Sequence, residues 1–480
     1  MSIILTALSF TISTEPNVDL VVNLPGCEEI KDEIPFKHFA GYLKGSNRTR
    51  RVHYWFFEAT SKDKPLFFWI NGGPGCTSKI GALQEHGPFK LLQNGSLTLR
   101  EKAWNKLTNI VYLDLPIGTG YSYSTDGAIS NDENLVVDDA LAAMENFLTK
   151  FQHLKNSDLY LSGQGYSGLI LSLIGEKMPP FLKLKGLFIE SGLTSYIDND
   201  NSFFYFAYYH GFMERDNWLY LTENCCQDQH MERCHFTHYM LKNEKCAQII
   251  LETEYTAMNW LNPFNYIEKC STGYPKFDDS MDLYHYDVEA SSLLRNVTKI
   301  YAKRTNYYKL LESNDYERLG QIKKKPCIDN AHLSKYLNRI DVIKSLNGNK
   351  EILKNIKVCS ETVELNHKRI YSNIKSSVKN LYEKGVRQLF YHGDLDLYNN
   401  FIGQEWFIDD LTIKLIDNTK RWLYTDPVDN STQIAGTRKV FGEDEKRLYL
   451  YTFLGSGHRT TEKKDYETFL LLESFLKNVF

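Results

Sequence analysis

Leu161-Ser162-Gly163-Gln164-Gly165-Tyr166-Ser167-Gly168 reads as a strand, a tight glycine-rich turn and the start of a helix. A frame of this kind exposes the residue at its apex. In the G-x-S-x-G elbow, a serine sits on a strained turn between strand and helix. Here the apex residue is Gly165, which has no side chain to offer. Working outward, apolar runs that stop at Gly or Asp clusters predict strands over 66–72, 109–115, 158–163, 186–191, 387–394 and 447–455. Helical stretches lie between and after them. One, over 132–151, opens on acidic residues that suit a helix N-terminus. A second, over 167–178, is stopped by Pro179-Pro180. The last, over 465–480, sets Phe469, Leu472, Leu476 and Val479 on a helical period. Strands alternating with helices predict an α/β protein whose mostly parallel sheet is covered on both faces.

Composition sets the outer bounds. With 480 residues, 42% of them hydrophobic, the chain can bury a large core. A net charge of −4 gives no electrostatic footprint for nucleic acid. No run approaches the roughly 20 apolar residues of a membrane span. The segment from Ile3 to Ile12 resembles the apolar region of a secretory signal peptide, which sets residues 1–14 apart, although no Lys or Arg precedes it. The α/β rhythm runs over 15–196 and again over 331–480. Residues 197–330 break it with a cysteine cluster, many tyrosines and no clean strand, and read as an insertion over one end of the sheet. The run Lys323-Lys324-Lys325 within it reads as a solvated loop. Nine cysteines without a zinc-type C-x-x-C pair favour disulfides over a metal site, and no cofactor motif appears. Sequons begin at Asn47, Asn94, Asn296 and Asn430 and agree with a secretory route.

Chemistry is sought beyond the C-terminal ends of the strands. The first such end is Trp69-Ile70-Asn71-Gly72-Gly73-Pro74-Gly75-Cys76, with Glu85-His86-Gly87-Pro88 shortly after; its glycines let backbone N–H groups turn outward, as an oxyanion hole requires. The elbow is the second. Tyr391-His392-Gly393-Asp394-Leu395-Asp396 ends the third in two acids, and Leu454-Gly455-Ser456-Gly457-His458 ends the fourth in a histidine. Elbow, Asp, His is the chain order of an α/β-hydrolase triad.

With these motifs the chain resembles the serine carboxypeptidases over nearly its whole length. Further support comes from Phe39-Ala40-Gly41-Tyr42-Leu43-Lys44-Gly45, His53-Tyr54-Trp55-Phe56, Gly120-Tyr121-Ser122-Tyr123-Ser124 and Phe206-Ala207-Tyr208-Tyr209-His210-Gly211. The resemblance implies an α/β-hydrolase fold with an inserted cap. It implies that Gly73 and Tyr166 supply the oxyanion N–H groups, that Asn71, Glu85 and the residue at Gln164 hold a peptide's terminal carboxylate, and that Asp396 orients His458. It also implies four disulfides, Cys226–Cys234, Cys225–Cys246, Cys270–Cys327 and Cys76–Cys359, which leave Cys27 unpaired. A lysosomal or extracellular location follows, with peptide C-termini or a protein partner as ligand and a homodimer left open.

The family's elbow is Gly-Glu-Ser-Tyr-Ala-Gly. This chain replaces its serine with Gly165 and its Glu with Gln164, and follows His458 with Arg459-Thr460-Thr461 where the family has Met-Val-Pro. Losing the triad serine costs a serine protease roughly 10⁶-fold in turnover, about 8 kcal/mol of barrier. The sequence therefore predicts a carboxypeptidase scaffold that has kept binding and lost hydrolysis. The rivals are an active serine carboxypeptidase and an acyltransferase on the same scaffold, both of which need the missing serine.

Overall fold

The first two strands are His38–Lys44 (β1) and Arg50–Phe57 (β2), apolar and buried along almost their whole length. The computed structural model describes residues 16–226, 232–239, 243–270, 327 and 330–479. The predicted signal segment, the sequon at Asn296 and the lysine run at Lys323–Lys325 lie outside the described residues. The chain divides into two units, the first formed by 1–160, 178–184 and 332–367, the second by the remainder.

In the first unit β1 pairs antiparallel with β2, and β2 antiparallel with Asn109–Leu113 (β4). Leu66–Ile70 (β3) runs parallel to β4. Both β3 and β4 are buried at every position, which is why they read as continuous apolar runs rather than as alternations. Helix Glu133–Lys150 (α1) starts where Asp132 accepts the Leu135 N–H at 2.8 Å. It buries Val136, Val137, Ala140, Ala143, Met144, Phe147 and Leu148. Its Phe147 meets Phe56 of β2 edge-on and Phe68 of β3 likewise, with centroids 5.1 and 5.5 Å apart.

A charged cluster is sealed behind this sheet. Lys79 is 1% exposed, and its ammonium pairs with Asp114 and lies 3.2 Å from His53 Nδ1. Asp114 also accepts from Thr77 Oγ1 at 2.6 Å, Ser78 N at 3.0 Å and Tyr121 N at 2.9 Å. Removing one partner of a buried pair leaves the other charge uncompensated. Lys79→Ala should therefore destabilise the protein by about 3–5 kcal/mol, read as a lower denaturant midpoint. An unchanged midpoint would mean that the hydroxyl and N–H donors alone satisfy Asp114.

The order continues with Leu159–Gln164 (β5) and Leu184–Glu190 (β6), nearly all of whose residues belong to the second unit, then Arg387–Gly393 (β7), β10, β9 and β8. The last three are Lys446–Phe453 (β10), Thr432–Glu443 (β9) and Leu415–Thr425 (β8). β6, β7 and β10 are mutually parallel, whereas β8 and β9 form a long antiparallel hairpin that the sequence did not announce. The helix after β5, Ser167–Lys177, ends just before the two prolines. The C-terminal helix is Asp465–Lys477 and buries Thr468, Leu471, Leu472 and Phe475. Asn478 turns left-handed at φ +54° and ends it, so Val479 falls outside the helix, exposed, and the expected Phe469–Val479 stripe does not form.

The described part of the 197–330 segment is helical, with Tyr196–Tyr209, Arg215–Asn224, Phe236–Tyr239 and Glu244–Trp260. Their core contains Phe204, Leu221, Phe236 and Ile250 together with Cys225, Cys226, Cys234 and Cys246. Disulfides join Cys225 to Cys246, Cys226 to Cys234, Cys270 to Cys327 and Cys76 to Cys359. Cys27 is free and buried, and burial pushes its thiol up to about 12, which makes it inert.

Candidate active site

The elbow residue sits where the sequence frame puts it. β5 ends at Gln164, and Gly165 follows with φ +61°, a left-handed conformation that costs glycine nothing. Its N–H donates to Glu190 O at 3.0 Å, and its carbonyl accepts from Gly168 N and Leu193 N, both at 2.9 Å. A Cβ built on Gly165 would stand 3.1 Å from His458 Nε2 and 3.5 Å from Cε1. The imidazole thus faces the backbone of residue 165 with no side chain between them. Ser167 is no substitute: it is buried, and its hydroxyl donates to Gln164 O at 2.9 Å.

His458 is held from behind. Its Nδ1 lies 2.8 Å from Asp396 Oδ2. A carboxylate is only an acceptor, so Nδ1 carries the hydrogen, and in the neutral ring Nε2 is the nitrogen with the free lone pair. Asp396 is fully buried, and its other oxygen accepts the N–H groups of Tyr398 at 3.0 Å and Asn399 at 3.1 Å. The His458 backbone N–H donates to Phe264 O at 2.7 Å, while Phe264 and Tyr398 meet the ring edge-on. The chain then continues into Arg459, whose guanidinium reaches Asn330 Oδ1 at 3.3 Å and Glu462 at 3.5 Å. Thr461 N donates to the buried carboxylate of Glu190 at 2.7 Å.

The two acids that end β7 have separate tasks. Asp394 accepts from Gly455 N at 2.8 Å and Ser456 N at 3.3 Å, which fixes the loop leading to His458; burial raises its carboxyl above the ordinary value. Asp396 alone addresses the ring. Sequence reasoning missed Asn399, whose side chain donates to Ser191 O at 2.9 Å while its backbone supports Asp396. Its only signal was its place three residues after the acid. Glu190 was also missed, since it reads as an ordinary strand terminus.

Of the other predicted residues, Asn71, Gly73 and Glu85 belong to the first unit. Asn71 Oδ1 accepts from Trp69 Nε1 at 2.5 Å, and its N–H donates to Ser78 Oγ at 3.0 Å. Gly73 has φ +134°, and a Cβ there would fall 2.7 Å from Gly75 N, so the turn requires glycine. Thr77 N to Val358 O and Ser360 N to Gly75 O, both 2.9 Å, flank the Cys76–Cys359 bridge and pin that turn. Glu85 is fully buried in the helical turn Gly81–Glu85, next to His86, which stacks on Trp104 at 3.8 Å. Burial, helped by Arg100, holds His86 neutral. Gln164 and Tyr166, in the second unit, are both buried. The sequons at Asn47, Asn94 and Asn430 are exposed. Among the described residues no cluster of His, Cys, Asp or Glu suits a metal ion, and no helix is long and apolar enough to cross a membrane.

An elbow between strand and helix, an acid after a parallel strand and a histidine after the next define the α/β-hydrolase class. Within it, the chain belongs to the serine carboxypeptidase family, whose profile matches residues 25–478. It is 32% identical over 472 residues to the lysosomal protective protein (cathepsin A) of Mus musculus, covering 96% of this chain and 94% of that one. It is 28% identical to a serine carboxypeptidase of Caenorhabditis elegans, over 99% of this chain and 96% of that one. Its fold matches a prohormone-processing carboxypeptidase from Saccharomyces cerevisiae with a TM-score of 0.72 at 20% identity, covering 97% of each chain.

Proposed function

We propose that this chain is a carboxypeptidase-type protein that binds peptide C-termini and does not cleave peptide bonds. One observation carries the reading: the elbow presents Gly165 to an Asp396–His458 pair that is otherwise assembled. In this reading Gly73 and Tyr166 supply backbone N–H groups to a carbonyl oxygen, and Asn71, Glu85 and Gln164 hold the terminal carboxylate. The segment 197–330 acts as the cap. Four disulfides favour the secretory pathway, lysosomal or extracellular. Similarity to a lysosomal protective protein supports a protective role as a second form of this binding reading.

Family membership favours the competing reading, an active serine carboxypeptidase, and one experiment separates the two. Purified protein should release no residue from blocked dipeptides between pH 4 and 7 and take no label from a fluorophosphonate. Labelling accompanied by turnover would establish the active enzyme instead. Binding should also depend on pH less steeply than in a site with two Glu residues, because the amide of Gln164 has no proton to lose and only Glu85 titrates there. By calorimetry a peptide's affinity should change less than about tenfold from pH 4.5 to 7, one factor of ten being about 1.4 kcal/mol. A steeper fall would remove Gln164 from the carboxylate site.

A further inference from the structure

Deleting the serine side chain does not delete the base. His458 Nε2 has no hydrogen-bond partner among the described residues, while Nδ1 is tied to Asp396 and Asp396 to two backbone N–H groups. The ring is therefore fixed with its lone pair directed at the turn around Gly165. In an elbow with serine, that lone pair is occupied by the hydroxyl. Here a water molecule can take the same hydrogen bond, on the side from which a carbonyl carbon would be attacked.

We infer that the chain is a slow esterase in which His458 activates water directly, with no acyl-enzyme. The inference rests on the reading of the site given above and adds a reaction to it. Nε2 removes a proton from the water while its oxygen bonds to the ester carbonyl carbon. The tetrahedral adduct then breaks its bond to the leaving-group oxygen, which takes the proton back from Nε2. The products are one carboxylic acid and one alcohol, and no other reactant is consumed. Esters with good leaving groups are the substrate class, because an amine must be protonated before it departs and a peptide gives a far higher barrier. Positioned general bases contribute typically about 10²–10⁴-fold, well short of a complete triad.

The test is hydrolysis of 4-nitrophenyl butyrate by the purified full chain at pH 7.5. The protein-dependent rate should be linear from the first turnover, unaffected by prior fluorophosphonate treatment, and lower by roughly 10²-fold in His458→Ala. Asp396→Asn, which destroys the tautomer while keeping the shape, should lower it at least about tenfold. Far-UV circular dichroism confirms that each variant is folded, and the second variant decides if the first is not. A rate no greater than buffer, a rate indifferent to both substitutions, or a rate abolished by the fluorophosphonate would each overturn the inference. If the ester is untouched while calorimetry still detects peptide binding, the binding reading stands without this activity. If peptide binding is absent while the ester reaction depends on His458, the reverse holds.

Discussion

Gly165→Ser should raise carboxypeptidase turnover on a blocked dipeptide by at least about 10³-fold, out of the roughly 10⁶-fold that the triad serine carries in serine proteases. The backbone is already prepared. At φ +61° residue 165 holds the left-handed turn that an elbow nucleophile adopts, so the new side chain costs about 1–3 kcal/mol of strain without reshaping the turn. The added Cβ lies 3.1 Å from His458 Nε2, so the ring must yield by a few tenths of an ångström. Asp396 Oδ2, 2.8 Å from Nδ1, keeps the tautomer through that shift. Gln164 and Arg459 remain in the variant, which is why the full factor is not expected. Fluorophosphonate should then label residue 165, and adding His458→Ala should return the rate to that of the parent. A folded variant that is neither labelled nor active would show that more than the missing hydroxyl separates this cleft from catalysis.

The parts of this site that were legible in the sequence are those in which backbone geometry demands a residue type. The turn at Gly73 reads directly, because its conformation admits only glycine, and the turn at Gly165 reads from its place between a strand and a helix. The strands before them read as apolar runs because they are buried on both faces. Spacing did not separate Asp394 from Asp396; the resemblance chose Asp396, and the fold shows it addressing the ring while Asp394 binds a loop. The hairpin β8–β9 stayed invisible because much of it is exposed and polar, so neither strand carries the pattern of a core element. Lys79 carries no signal in the sequence, and it is buried because Asp114 is there to receive it. The disulfide pairing lies beyond spacing altogether, since eight cysteines allow about 105 connectivities and only the resemblance selects among them.

Lowering the pH from 7 to 5 should remove about 6 kcal/mol of stability through three buried histidines. His38, His53 and His392 are depressed from 6.5 to about 3, about 3 and about 4, in each case first by burial. The neutral forms are built in. His38 Nδ1 accepts from Trp55 Nε1 at 3.1 Å, and His53 Nδ1 faces the Lys79 ammonium at 3.2 Å, so a proton on either nitrogen would meet a donor. Below pH 6.5 the unfolded chain protonates these rings and the folded chain does not. The unfolded state then binds more protons, so stability is complete above pH 6.5 and is lost as the pH falls toward 3–4. At pH 5 the medium is about 1.5 units below the unfolded value of each ring, which is worth about 2 kcal/mol per ring. His86, held neutral in the same way, adds to the loss, whereas the raised carboxyl of Asp394 works weakly against it. Asp114, which burial would raise but Lys79, His53 and its hydrogen bonds together lower, adds its own loss only at still lower pH. Denaturant midpoints at pH 7.5, 6 and 5 should fall steeply, and His38→Gln, which keeps an acceptor for Trp55, should remove about a third of that slope. A midpoint level from pH 7.5 to 5 would mean that these rings titrate in the folded state. Of the two compartments open to a disulfide-bonded chain, a steep fall would favour the near-neutral extracellular space over the acidic lysosome, because a fold that loses this much at pH 5 has little left of the 5–15 kcal/mol that holds an ordinary domain together.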